Sequence, residues 1–381
     1  MSDDFDYKMP SLDLRERIEA IRRAIREEYQ RGPITKPWII GYSGGKDSTL
    51  VVLLVIQALH DLPPSFRKRP IHIVSNDTLV ESPVVQAYVN GALKKIAEAM
   101  PMLLMPVIVV QTKPAYGQSF WCNVIGRGYP APSRAFRWCT DRMKIQPTGK
   151  YIRDLASANG AVLLIGTRSD ESRARAESIA KHDTGGRMNP HGTVKNVMVW
   201  PLIKDLTTEE VWQILMANRA PWGGTFRQLV TLYRNATGEC PFVVDNGEPP
   251  SCGDSPSARF GCWTCTVVAK DKSLEALVDN GYEHLEPLVE YREFLKDLSG
   301  RRDARMDEGR DGREVEFAGP FTFASRQLLL DTLLEAQALV GVELITAEEI
   351  AFCREQWEQD RVAKVIRTTR VMLSILQLPE K

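Results

Sequence analysis

Short apolar runs that alternate with helix-period segments from residue 38 to residue 216 predict an α/β protein on a doubly wound, mainly parallel sheet. Two further observations agree. The first apolar run, Trp38-Ile39-Ile40, passes straight into the glycine-rich turn Gly41-Tyr42-Ser43-Gly44-Gly45 and then into a helical stretch. Polar residues also gather just past several strand ends, at Ser43 to Ser48, at Asp77 and at Gly166–Arg173. Open α/β sheets place their ligands there, outside the carboxyl ends of the strands.

The elements follow in order. Ser11 opens a helix in which Leu14, Ile18, Ile21 and Ile25 recur on one face, and Arg31-Gly32-Pro33 ends it. Next come the strand Trp38–Tyr42, the helix Asp47–His60, the strand Ile71–Ser75, the helix Ser82–Met100 and the strand Pro106–Gln111. A loop rich in Gly, Pro and aromatics runs from Thr112 to Thr140. A helix around Thr148–Ala158 and the strands Ala161–Ile165 and Val197–Trp200 follow. Thr207-Thr208-Glu209-Glu210 reads as a capping box for a helix reaching Met216. From Gly223 to Gly319 the periodicity fades into Gly, Pro, Cys and charged residues, and Gly300–Arg313 reads as a solvated loop. Helical period returns at Ala324–Leu339 and Thr346–Leu376. The expected division is therefore 1–35 (an N-terminal helix), 36–222 (the α/β domain), 223–319 (a cysteine-rich region) and 320–381 (C-terminal helices).

A chain of 381 residues, 43% hydrophobic and 26% charged, has the composition of a globular protein with room for more than one domain. No apolar run is long enough to cross a membrane, and the acidic start MSDDFDYKMP lacks the apolar core of a secretory signal. A cytoplasmic location and no membrane partner are expected. Formal net charge is zero, so no global field steers the chain to nucleic acid. The five histidines show no ligand spacing. In an intracellular chain the seven cysteines point to metal ligands or reactive thiols rather than disulfides.

The turn before the Asp47–His60 helix has the chemistry of a phosphate site. Backbone N–H groups and the helix dipole favour an anion there, Gly44 and Gly45 allow close approach, and Ser43, Ser48, Thr49 and Lys46 add donors. It is not a Walker loop, because Ile40 stands where the first glycine belongs and Asp47 follows Lys46 in place of a hydroxyl residue. It is not a dinucleotide fingerprint either, since no Gly-x-Gly-x-x-Gly is present. The string SGGKDST resembles the PP-loop of ATP pyrophosphatases, which cut ATP between the α and β phosphates. Asp77, the cationic segment Arg137-Trp138-Cys139-Thr140-Asp141-Arg142-Met143-Lys144, and Gly166-Thr167-Arg168-Ser169-Asp170-Glu171-Ser172-Arg173 extend the likeness. Together, over Trp38 to Leu202, they resemble the phosphoadenosine phosphosulfate (PAPS) reductase branch of the PP-loop superfamily. That resemblance implies an adenine nucleotide α-hydrolase-like fold. It also implies ATP and Mg2+ held by Ser43, Gly44, Gly45, Lys46, Asp47, Ser48, Thr49, Asp77, Gly166 and Arg168, with Lys46, Asp47, Cys139, Arg168 and Arg173 in catalysis.

Cys240-x11-Cys252-x9-Cys262-x2-Cys265 supplies four thiols, enough for an iron–sulfur cluster, and Cys262-x2-Cys265 would suit zinc as well. With Gly319-Pro320-Phe321-Thr322 and the arginine-rich stretch before it, this half of the chain is similar to the DndC family of DNA phosphorothioation sulfurtransferases. That likeness implies a 4Fe–4S cluster on Cys240, Cys252, Cys262 and Cys265, and ATP cleavage to AMP and pyrophosphate. It further implies a cysteine desulfurase as sulfur donor and DNA reached through other subunits of a modification complex. Cys122 and Cys353 read as buried small hydrophobes. Cys139, beside Arg137, Arg142 and Lys144, is expected to favour its thiolate; a sulfur carrier, a cluster ligand and a structural thiol are its three readings. Two other functions share these motifs: reduction of PAPS or adenylyl sulfate, and a non-enzymatic ATP- and cluster-binding subunit. The first lacks its usual C-terminal Glu-Cys-Gly-x-His motif, which Glu239-Cys240-Pro241 only begins.

Overall fold

The structure, a computed structural model, describes residues 10–134, 136–237, 260–310, 312–315 and 319–376. In chain order it begins with α1 (Leu12–Arg31), β1 (Trp38–Gly41), α2 (Lys46–His60), β2 (Ile71–Asn76), α3 (Pro83–Met102) and β3 (Val107–Thr112). Then come α4 (Trp138–Thr140), α5 (Gln146–Ala156), β4 (Ala161–Ile165), α6 (Arg173–His182), β5 (Asn189–Pro190), β6 (Val197–Pro201), α7 (Thr208–Ala217) and α8 (Arg227–Thr237). The described chain closes with α9 (Lys272–Asp279), α10 (Glu286–Gly300), α11 (Phe323–Val340) and α12 (Ala347–Leu376). It divides into two compact units. The first takes the described parts of Met1–Asp77, Ser82–Thr112 and Pro147–Phe260, and the second those of Thr78–Glu81, Lys113–Gln146 and Gly261–Lys381.

The first unit is the α/β one. Its six-stranded sheet runs β3-β2-β1-β4-β6-β5, parallel throughout except for the β5–β6 pair. The order reverses between β1 and β4, which makes their carboxyl ends the switch point of the sheet. Alternation along β1 sends its side chains to both faces. Trp38 packs edge-on against Tyr29 of α1, with ring centroids 5.2 Å apart, while Ile39 joins Val74, Ala161, Val197 and the α5 residues Ile152 and Ala156. Eleven of the fifteen residues of α2 are buried, from Ser48 to Leu59, so this helix is apolar nearly all round and belongs to the core. The first helix starts as expected, with Ser11 Oγ accepting the Leu14 N–H. Thr207 and Glu210 form the reciprocal capping box of α7.

The second unit is held by aromatic packing and buried arginines. Trp121, Trp263 and Tyr291 meet with centroids 5.7–5.8 Å apart. Trp121 Nε1 donates to the Leu344 carbonyl at 2.7 Å, and Trp357 Nε1 to that of Ile125 at 2.8 Å. Arg326, 1% exposed, donates to the carbonyls of Phe321 and Gly126 and to Asp360.

The structure departs from the expected elements in four places, one of them the helix α6, which was not expected. The Thr112–Thr140 segment is not all loop: it holds a buried π-helical turn, Cys122–Gly126, and α4. Residues 223–319, expected to lack period, contain α8, α9 and α10. In α10, Leu288, Tyr291, Arg292, Leu295 and Leu298 form a buried helical face whose register was hidden by the charges between them. The two-residue β5 was too short to show any period.

Candidate functional site

Strand β1 delivers the chain to the loop and α2 carries it away. Gly44 has φ +76°, the left-handed region that a side chain resists, and a Cβ there would run into Val89 of α3. Gly45 caps α2, and Ser43 and Ser48 lock the turn. Ser48 Oγ donates to the Gly45 carbonyl at 3.0 Å and accepts the Ser43 N–H at 3.2 Å, while Gly45 N–H reaches Ser43 Oγ at 3.4 Å. The two serines therefore shape the loop. Thr49 is buried at 2% exposure in the first turn.

Gly166, just past β4, makes a close approach to that turn. A Cβ there would lie 2.9 Å from the Asp47 carbonyl group and 3.1 Å from the Ser48 nitrogen. Two residues on, Arg168 is 1% exposed. Its Nε donates to Asp47 Oδ1 at 2.7 Å, one terminal nitrogen to Asp170 Oδ2 at 3.2 Å and the Leu206 carbonyl at 3.1 Å, and the other to Thr208 Oγ1 at 3.1 Å. Arg168 thus uses four of a guanidinium's five N–H donors on protein acceptors, one of them positioning Asp47. Burial pushes the Asp47 carboxyl above its ordinary value, with Lys46 and Arg168 pulling it back.

Asp77 follows β2, the neighbour of β1. It is 5% exposed, donates its N–H to the Thr112 carbonyl at 2.8 Å and accepts the Gln86 amide at 3.2 Å. Asp47 and Asp77 thus stand past the carboxyl ends of adjacent parallel strands. Mg2+ takes one or two carboxylates plus phosphate oxygens and waters, a donor set these residues fit. Arg173 opens α6 as a solvent-facing side chain, 93% exposed and paired with Glu177 at 2.9 Å, so the structure does not gather it into the loop.

In the second unit the structure brings Cys139, Cys262 and Cys265 into one electrostatic neighbourhood around Lys144. Cys262 pairs through a β-bridge with Glu81, and Trp263 N–H donates to the Val80 carbonyl at 3.0 Å. Cys265 N–H turns back onto the Cys262 carbonyl at 3.0 Å, which fixes the Cys-x2-Cys turn. Thr78 Oγ1 lies 3.4 Å from Cys262 Sγ. Below the turn the buried Arg292 donates to the carbonyls of Cys265 at 2.9 Å and Val268 at 2.7 Å. Burial pushes the Cys262 thiol up to about 11, eased by Lys144 and Thr78. Burial also raises Cys139, which corrects the expectation of a favoured thiolate. Arg137 is exposed, and Arg142 is spent on Gln118 and Tyr129. The ammonium of Lys144 is raised first by Cys262, then by Glu81, Cys139 and Cys265.

Among the described residues no group of three or more His, Cys, Asp or Glu side chains is set for a metal. Cys240 and Cys252 lie outside the described residues. The donor chemistry of Cys139, Cys262 and Cys265 is soft and thiol-only, which fits iron–sulfur or zinc and not a hard cation. Cys122 and Cys353 are buried at 2% and 0% exposure, as expected of small hydrophobes. Sequence reading missed Tyr233, whose hydroxyl reaches the Lys46 N–H, and Thr208, which holds Arg168. Both lie more than 150 residues or a whole strand–helix unit away in sequence from what they touch, and no local spacing marks them.

A phosphate loop after the central strand of a parallel sheet, at its switch point, defines an α/β nucleotide enzyme of the PP-loop ATP pyrophosphatase superfamily, adenine nucleotide α-hydrolase-like in fold. The phosphoadenosine phosphosulfate reductase domain matches residues 37–268, and the chain belongs to that family. An uncharacterized protein of Methanocaldococcus jannaschii, MJ0066, is 25% identical over 204 residues. These are 54% of this chain but 36% of that protein, so the chain spans about a third of its relative's length. Among solved structures, PAPS reductase from Candida auris is 11% identical with a TM-score of 0.32, covering 54% of this chain and 86% of that one. Candida glabrata FMN adenylyltransferase is 11% identical (TM-score 0.36; 64% and 74% covered). The U34-tRNA thiolase NcsA of Methanococcus maripaludis, solved with its [4Fe-4S] cluster, is 14% identical (TM-score 0.30; 58% and 75% covered). No helix among the described residues is long and apolar enough to cross a membrane.

Proposed function

We propose that the chain is an ATP pyrophosphatase and sulfurtransferase that activates a DNA backbone phosphate for replacement of a non-bridging oxygen by sulfur. The observation that supports this best is the presence, on one chain, of an ordered PP-loop and a thiol group of Cys139, Cys262 and Cys265. A phosphate oxygen is a very poor leaving group. In this reading it attacks the α phosphorus of ATP and expels pyrophosphate; the resulting AMP ester turns that oxygen into a leaving group. Sulfur from a cysteine desulfurase persulfide then attacks the DNA phosphorus, AMP departs with the oxygen, and a thiol cleaves the remaining S–S bond.

The backbone of Gly44, Gly45 and Lys46, with the Lys46 ammonium, holds the β and γ phosphates and stabilises the departing pyrophosphate. Asp47, fixed by Arg168, and Asp77 would hold Mg2+, which would supply charge neutralisation at the phosphates. Cys262 and Cys265, with Cys240 and Cys252 from outside the described residues, would hold an iron–sulfur cluster. Bound there, the cluster supplies thiophilic redox chemistry. Burial raises the Cys139 thiol and Lys144 opposes it, so in either a sulfur-carrying or a ligand role its thiolate would depend on that cation or on a bound metal. DNA is reached through other subunits, and the work is done in the cytoplasm.

The test is mass spectrometry of nuclease-digested DNA from cells with and without this chain. Phosphorothioate dinucleotides should vanish when it is removed. Their persistence would rule the reading out, and sulfite release from PAPS by the purified protein would replace it with sulfate reduction.

A further inference from the structure

Tyr233 belongs to α8, yet it sits on the phosphate loop. Its hydroxyl accepts the Lys46 backbone N–H at 3.2 Å, and Lys46 Nζ stands 4.9 Å from its ring centroid. A Cβ on Gly45 would meet the same hydroxyl at 3.1 Å, so the phenol oxygen lies directly against Gly45. The ring is 6% exposed and is held edge-on by Trp212 (5.1 Å) and Phe260 (4.7 Å). One side chain therefore engages both the main-chain donor and the ammonium of Lys46, the two groups a polyphosphate would use. A phenol oxygen and a phosphate oxygen are both acceptors, and a single N–H cannot serve both at full strength.

We propose that Tyr233 sets the affinity and selectivity of the loop: its hydroxyl competes with the β and γ phosphates for the Lys46 N–H, and a bound polyphosphate displaces it. This rests on the ATP reading above and goes beyond it. A charged phosphate oxygen is the stronger acceptor, so ATP prevails with reduced affinity. AMP has no β or γ phosphate to make the exchange and is selected against. When pyrophosphate forms, the returning hydroxyl favours its release.

The experiment is calorimetric titration of wild type and Tyr233→Phe with inorganic pyrophosphate and with α,β-methylene ATP, which cannot be cut between the α and β phosphates. Phenylalanine keeps the ring over Lys46 and its packing on Trp212 and Phe260 while removing only the competing oxygen. Binding of both probes should tighten about fivefold, the size expected of one neutral hydrogen bond. Equal or weaker binding by Tyr233→Phe, with wild type binding both probes, overturns the competition and leaves the ATP site standing. Failure of both chains to bind either probe overturns the ATP reading and the competition with it.

Discussion

At the scale of single residues, Arg168 shows how a motif position can carry a role beyond the one its chemistry suggests. Its family context marked it for phosphate, and four protein acceptors also tie its guanidinium to Asp47, Asp170, Leu206 and Thr208. Arg168→Ala would leave Asp47 half-buried without its cation and should cost about 3–5 kcal/mol of stability. Urea denaturation checks this; an unchanged midpoint would show that the pair is incidental. Asp170, on the same guanidinium, gives a pH signature. Burial opposes ionisation, but the Thr208 N–H and hydroxyl and Arg168 outweigh it, so the carboxyl is held below 3.8. Its contribution is complete above 3.8 and is lost as pH falls through the lower folded value. Asp170→Asn should therefore flatten the acid limb of a stability–pH curve by lowering stability at neutral pH and sparing it in acid, by a modest amount because the group is half exposed. A parallel acid limb in the variant would contradict this.

At the scale of elements, what was legible depended on how local the cause is. Ser11 and the Thr207–Glu210 box cap their helices through bonds three residues apart, and both were readable in sequence. The β1–loop–α2 unit was readable for the same reason, because the glycines, hydroxyls and Lys46 are contiguous. Helix α10 was not, because Arg292 lies inside its buried face and satisfies carbonyls 23 to 27 residues away. The raised Cys139 thiol was illegible too, since burial is set by packing and not by the arginines beside it in sequence. The contact between β4 and α2 makes a direct prediction. In Gly166→Ala the added methyl must push the first turn of α2, and loop misplacement of that kind should cut pyrophosphate release by about a hundredfold. Full turnover in a folded variant would mean that the loop tolerates the shift. The Cys-x2-Cys turn makes another. Protein purified without oxygen should carry iron and acid-labile sulfide, and Cys262→Ser and Cys265→Ser should each lose them while Cys139→Ser keeps them. Stoichiometric zinc would reassign the turn as structural, and loss of iron from Cys139→Ser would make Cys139 a ligand.

At the scale of the whole molecule, one chain combines an α/β unit that carries a phosphate loop with a helical unit that carries a thiol group. The chain's formal net charge is zero, so no global field draws it to nucleic acid. Everything proposed for sulfur depends on what the loop does to ATP, because only cleavage between the α and β phosphates leaves AMP to activate an oxygen. The most direct measurement is product analysis with α-labelled ATP and Mg2+, in the presence of DNA and the sulfur-donating partner, for wild type and Lys46→Ala. Wild type should form AMP and pyrophosphate in equal amounts, and Lys46→Ala should form neither while melting like wild type. ADP and orthophosphate in place of AMP and pyrophosphate, or undiminished AMP from folded Lys46→Ala, would contradict the account.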